Sequence, residues 1–215
     1  GRNVMEKLDY KKKFRELYQP SAKPALIDVP EMIFFAVGGA GDPNKCREYK
    51  EAMEILYGLS FTVKMSKMNN TQPEGYFEYV VPPLEGLWYQ EGTNSIDYSR
   101  KDDFHWISMI RQPEFVTEEV LETAKAALSK KKPALDISKA RLMRYTEGLC
   151  VQLMHTGPYD DEPASIEKLE RFAEENGYAE DFGVGRYHHE IYLSDPRKCA
   201  PERLRTVIRH PVIKK

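Results

Sequence analysis

Tyr187-His188-His189-Glu190-Ile191-Tyr192-Leu193, near the C-terminus, packs two histidines, a carboxylate and phenols into one β-rich run. As a strand it alternates, so His188, Glu190 and Tyr192 share one face while His189, Ile191 and Leu193 share the other. Sequestering an unpaired carboxylate costs several kcal/mol or lifts its pKa by about 3 to 5 units, so an enclosed glutamate has a partner or a task. If the strand is covered, Glu190 is a candidate general base or a charged contact for a cationic ligand. On an uncovered edge strand it is only a solvated surface group.

The remaining chemistry-bearing residues are more readily structural. His155, before Gly157-Pro158-Tyr159, is a possible base or ligand-contacting group, but a strand-end histidine also satisfies backbone hydrogen bonds. With His188, His189 and Glu190 it could imitate a metal set, yet only the adjacent strand residues have any assigned geometry, and no metal is expected. Cys46, Cys150 and Cys199 are isolated, which argues against zinc and against a disulfide framework, and none sits where a nucleophile would be marked. Gly-x-Ser-x-Gly is absent. Gly38-Gly39-Ala40-Gly41-Asp42-Pro43 lacks the Gly-Lys-Ser/Thr end of a phosphate loop and the spacing of a dinucleotide fingerprint, so it reads as a tight turn with Asp42 capping the next helix. What is left is a glutamate accompanied by aromatics: Trp88, Tyr89, Trp106, Tyr145 and Tyr192. Such side chains are ordinarily core. Around one carboxylate they would make a pocket for a flat, hydrophobic or cationic molecule.

The elements that must position these groups follow from pattern. A helix is expected over Glu6 to Tyr18, ended by Gln19-Pro20. Met32 to Val37 is an apolar buried strand; a helix follows from Asn44 to Tyr57, closed by Gly58, and then a β-rich run from Leu59 to Met65. Glu78 to Val81, Leu84 to Tyr89 and Phe104 to Ile110 read as strands, with turns at Pro82-Pro83 and Gly92-Thr93-Asn94-Ser95. Thr117 caps a helix running to Lys131. Leu149 to Met154 is again an apolar strand, and a helix from Ser165 to Asn176 closes on Gly177. Strand, turn, helix and glycine stop thus occur twice in the same order. The expectation is an α+β fold of duplicated βαββ units with pseudo-two-fold symmetry: a curved antiparallel sheet, helices on one side and a central ligand pocket. Residues 1–30 form an N-terminal helix and lead-in, and 31–215 the domain, with pseudo-repeats at about 31–111 and 138–212.

At 215 residues, 41% hydrophobic and 31% charged, the chain can bury a real core. A formal charge of -2 argues against nucleic acid, which needs a basic field. Lys11-Lys12-Lys13 and Lys130-Lys131-Lys132 are flanked by acids and read as solvated surface. Without a signal peptide or a bilayer-length apolar run, and with three scattered cysteines, a reducing cytoplasm and no membrane partner are expected. No cofactor is implied, and the sequence leaves the oligomeric state open.

Gly41-Asp42-Pro43-Asn44, Pro83-Leu84-Glu85-Gly86-Leu87-Trp88, Met109-Ile110-Arg111-Gln112-Pro113, Glu147-Gly148-Leu149-Cys150-Val151-Gln152, His155-Thr156-Gly157-Pro158-Tyr159 and Glu190-Ile191-Tyr192-Leu193-Ser194-Asp195-Pro196 resemble, in order from about Met32 to Val212, the stand-alone GyrI-like small-molecule-binding proteins. The resemblance implies the duplicated βαββ fold, shared with ligand-binding domains of multidrug-responsive transcription regulators, and a late-strand glutamate that meets aromatic lipophilic cations. That place falls on Glu190. No helix-turn-helix module precedes the domain, so a complete regulator is not expected. Some stand-alone members are implied to be cyclopropanoid hydrolases, which detoxify alkylating natural products by opening an activated cyclopropane with water. On that model Glu190 activates the water and a tyrosine hydroxyl, Tyr89, stabilises the oxygen that collects charge. Trp88 and Trp106 stack on the substrate, and Tyr145, Tyr192 and His155 complete the candidate ligand contacts. The alternative is a non-catalytic protein, gyrase-inhibitor-like in one version, that binds or sequesters hydrophobic cations and uses Glu190 for its charge alone.

Overall fold

Two 16-residue strands, β1 (Ala25–Ala40) and β4 (Arg141–Thr156), lie antiparallel and begin the two halves of the chain. The computed structural model describes residues 6–93, 95–183 and 185–215; Asn94 of the expected Gly92–Ser95 turn, Val184 and residues 1–5 lie outside them. β2 (Leu84–Tyr89) and β3 (His105–Arg111) complete the first half, and β5 (Tyr178–Glu180), β6 (His188–Tyr192) and β7 (Arg205–Lys214) the second. The sheet is antiparallel, in the order β4-β1-β3-β2-β6-β7-β5, and a further β4–β7 ladder curls it into a barrel. Gly86 faces Glu190 and Leu87 faces His189 across the β2–β6 ladder, which ties the Trp88 and Glu190 segments together.

The helices are α1 (Tyr10–Lys13), α2 (Arg15–Tyr18), α3 (Arg47–Lys64), α4 (Glu118–Lys131) and α5 (Glu162–Glu175). Strand alternation divides the core between them. Ile33, Phe35 and Val37 of β1, with Trp88, Trp106 and Ile110, meet Ile55, Leu56 and Leu59 of α3 and Leu121 and Leu128 of α4 on the outer face. Val151, Leu153 and Ile208 meet Ile166 and Leu169 of α5 on the same face. Residues of the opposite parity, Phe34, Ala36, Leu87, Met109, Ile191 and Val207, converge inside the barrel with Tyr10, Leu17 and Tyr18. The three long helices therefore cover one face, as expected, whereas α1 and α2 pack against the other.

Five local expectations are corrected. Glu6 to Tyr18 is two short helices with a break at Phe14. Gly58 does not stop α3: a Cβ there would lie 2.8 Å from Leu128 Cδ2, so glycine permits close packing of α3 on α4. The helix runs on through the segment read as strand, because Leu59, Ser60 and Val63 continue the buried spacing of Ala52, Ile55 and Leu56. Asp42 caps the turn before α3, its Oδ1 accepting from Asn44 N at 2.9 Å, while the helix itself starts after Cys46. Glu78 to Val81 contributes only an isolated bridge, Tyr79 to Leu8. Thr117 caps α4 as expected, accepting from Val120 N at 3.2 Å.

Candidate functional site

A cavity of about 1570 Å³ opens on the helix-covered face, between α3 and the start of α5. It exceeds the roughly 300 to 1,000 Å³ of ordinary small-molecule pockets. Its aromatic walls are Tyr49 from α3, Trp88 from β2, Tyr98 and Phe104 from the β2–β3 connection, Tyr159 from the turn before α5, and Tyr192 from β6. Two carboxylates, Glu162 and Glu190, sit with His188 at the inner end. Gly86 makes room here, since a Cβ would lie 2.6 Å from Trp88 Nε1 and 3.2 Å from the Tyr192 hydroxyl. In that space Trp88 Nε1 donates to Tyr192 Oη at 3.0 Å, and Tyr192 donates to Glu190 Oε1 at 2.8 Å.

Glu190 is 7% exposed. Burial opposes its ionisation, but the hydrogen bond from His188 at 2.6 Å, that from the Tyr192 hydroxyl and the neighbouring Glu162 carboxyl outweigh it and hold the carboxyl below the ordinary range. Glu162 behaves oppositely. Burial, reinforced by the neighbouring Glu190, lifts its carboxyl well above the ordinary value, against a hydrogen bond from Tyr98 at 3.0 Å. Among the described residues its Oε2 is buried without a hydrogen-bond partner. Two carboxyls pushed apart in this way are suited to act as an acid-base pair, the lowered one as base and the raised one as acid. Burial, then the Glu190 charge, also raises Tyr159 to about 12 and Tyr192 well above its usual value, so both phenols stay protonated donors.

One ligand atom from each of Glu162, His188 and Glu190 lies within 4.8 Å of the others, a set that could take a divalent cation. The His188 nitrogen that faces the set is already engaged with Glu190 at 2.6 Å, so a metal would have to displace that hydrogen bond.

The sequence-derived candidates divide sharply. Glu190, Trp88 and Tyr192 line the cavity. Alternation turns Tyr89 away from Trp88; it is 37% exposed and stacks between His105 and Tyr187, at 4.9 and 5.0 Å. Trp106 lies behind the wall, edge-on to Tyr49 at 5.1 Å and pressed on Gly39. Tyr145 is on the opposite face of the sheet, donating to Gly185 O at 2.9 Å. Gly148, with φ +76, lies between two inward sets on β4, Tyr145 and Glu147 before it and Gln152 and Met154 after it. His155 is buried at the end of β4, bonded to Ser165 Oγ at 2.7 Å and Pro158 O at 2.9 Å, where it ties the turn to α5. Tyr89, Trp106, Tyr145 and His155 are thus not brought to the Glu190 cavity. Tyr49, Tyr98, Phe104, Tyr159 and Glu162 take those places. Glu162 precedes the helix expected from Ser165, which in fact starts at Glu162 itself, and nothing local marks its burial; Tyr159, inside the His155–Tyr159 motif, carried the one available signal.

A GyrI-like small-molecule-binding domain model matches residues 22–213. The chain belongs to the GyrI-like small-molecule-binding family. Among solved structures, a Listeria innocua hydrolase is 46% identical over 96% of this chain and 100% of that one, with a TM-score of 0.88. An uncharacterized conserved protein of Listeria innocua is 49% identical over 96% and 100%, with a TM-score of 0.92. The EcmrR C-terminal domain, 15% identical over 90% and 98% at a TM-score of 0.55, shares the fold. No curated protein matches this GyrI-like chain. Among the described residues no helix is long and apolar enough to cross a membrane.

Proposed function

We propose that this GyrI-like protein is a hydrolase that binds aromatic, hydrophobic electrophiles and opens a strained cyclopropane with water. One observation carries the reading: two buried carboxyls, Glu190 held below the ordinary range and Glu162 lifted above it, share the inner end of an aromatic cavity. The 46% identical hydrolase from Listeria innocua supports it. In a cyclopropane fused to a dienone, water attacks the ring CH₂ and its oxygen forms the new C–O bond as the ring C–C bond breaks. The released electron pair moves through the dienone to the carbonyl oxygen, which becomes a phenol. Glu190 takes the proton lost by water; the phenol oxygen receives one from Glu162 or a cavity tyrosine. Positioned proton transfer of this kind is worth about 100- to 10,000-fold. Trp88 and Tyr49 give flat surfaces for the substrate.

Buried acids in an aromatic cage also suit a lipophilic cation, so binding or sequestration without turnover is the second reading. Incubation with a cyclopropane-bearing dienone, followed by mass spectrometry for the adduct of one water, separates them. Accumulation of adduct supports hydrolysis, and tight cation binding with no adduct from several cyclopropanoids supports sequestration. We also take β1-α3-β2-β3 and β4-α5-β6-β7 as copies of one unit about a pseudo-two-fold axis, which superposition of the halves tests.

A further inference from the structure

A ladder of three short contacts leaves the cavity along the sheet. Glu190 Oε2 is 2.6 Å from His188 Nε2, His188 Nδ1 is 2.6 Å from His210 Nε2, and His210 Nδ1 is 2.5 Å from Glu180 Oε2. Glu190 and both imidazoles are buried, whereas the Glu180 side chain, on β5, retains 21% exposure. Glu162 and Tyr192 face the cavity end; Glu170 of α5 and the Phe182 ring face the other. A neutral imidazole has one donor and one acceptor nitrogen, so three protons in these three contacts have two concerted arrangements. In the first, Glu190 is the carboxylate, His188 donates to it from Nε2, His210 donates from Nε2 to His188 Nδ1, and a protonated Glu180 donates to His210 Nδ1. In the second, every proton sits on the other partner: Glu190 is the acid and Glu180 the carboxylate. Passing between them breaks and forms three N–H or O–H bonds, leaves the heavy atoms in place, and moves one net proton between Glu190 and Glu180.

We propose that His188, His210 and Glu180 form a proton relay through which a carboxylate at the edge strand sets the charge on Glu190. Its kinetic consequence rests on the hydrolytic reading; its existence does not. Burial depresses the His210 pKa, which favours the neutral ring that the relay requires. His210 and Glu180 are positioning residues, since neither lines the cavity.

Ring-nitrogen NMR of His188 and His210 in the ligand-free protein tests the relay directly. Glutamine cannot exchange a proton, so Glu180→Gln is expected to change the protonated nitrogen or the titration of His188, and Glu190→Gln that of His210. A static ladder would confine each change to the adjacent ring, and that result overturns the relay. In the hydrolysis assay, Glu180→Gln is expected to move the pH midpoint of kcat/KM toward acid by about one unit with KM within about twofold, because Glu190 no longer competes with a like charge for a shared proton. An unmoved midpoint contradicts the relay. Absence of turnover in the wild type removes the hydrolytic reading and leaves the NMR result to decide the relay.

Discussion

Strand β6 carries two histidine-carboxylate clusters, one on each face, and they are built to opposite ends. Inside the barrel, His189 lies between Glu147 at 2.9 Å and Glu85 at 2.7 Å, and Arg209 reaches Glu147 at 3.3 Å, Gln152 at 2.9 Å and Leu17 O at 2.9 Å. Two bases balance two acids, and the void beside them is only about 10 Å³, room for one water at most. On the outer face, Glu162, Glu190 and Glu180 are accompanied by two histidines and, among the described residues, by no arginine or lysine within hydrogen-bonding distance, and the cluster opens on a cavity of about 1570 Å³. A closed, charge-balanced cluster holds strands together. An open one with excess acid is left with groups whose protons can move.

The largest difference should appear in stability. Arg209→Met leaves Glu147 buried beside one cation fewer and should cost about 3 to 5 kcal/mol in denaturant unfolding. Glu162→Gln, made in the open cluster, should leave stability unchanged or raised. Equal losses from both would erase the distinction.

The pH dependence of stability sharpens the contrast. Burial opposes protonation of His189, but Glu147 and Glu85 overcome it and raise the imidazole to about 9. A raised histidine contributes fully below its unfolded value of about 6.5 and loses that contribution as pH climbs through the folded value, so stability should fall by up to about 3 kcal/mol between those limits. Glu147 is held below its ordinary value, and its share is lost instead as pH falls through that depressed value. Thermal unfolding from pH 6 to 10 checks the basic limb, which His189→Gln should flatten.

Ligand affinity reports on the other face. Loss of the elevated Glu162 proton adds a negative charge, so lipophilic-cation binding should strengthen, by about 1.5 to 3 kcal/mol, as pH rises through that carboxyl's value. In Glu162→Gln the step should vanish. Calorimetric titration across pH measures it, and a step that survives would assign the proton elsewhere.

The smallest effect belongs to the fourth buried histidine, His155. Ser165→Ala removes one hydrogen bond from His155 and should cost about 1 kcal/mol of stability with ligand affinity unchanged. A clear loss of affinity would return His155 to the binding site.

These contrasts also explain what could be read from the chain. Alternation along His188 to Leu193 separates the two faces of β6 with no structure at all, because a strand's period of two is rigid. The same rule divides Trp88 from Tyr89. It cannot tell which face is roofed by helices, and that is why Trp106, of the right parity, lies under Tyr49 instead of in the cavity. Tyr145 has a different cause, since the inward set on β4 changes around Gly148 and parity cannot be carried across it. Gly58 misleads because glycine marks both helix ends and close helix packing, and only the position of Leu128 distinguishes them. Glu162 depends wholly on tertiary placement: the first turn of α5 meets β6 from a distant part of the sequence.

The central claim is that Glu190 performs chemistry. Its most direct test is single-turnover hydrolysis of a cyclopropane-bearing dienone by the wild type and Glu190→Gln, with stability measured alongside. The account predicts a rate loss of about 100- to 10,000-fold in the glutamine variant, with retained stability and retained binding of the neutral substrate. Turnover at the wild-type rate in Glu190→Gln would contradict it.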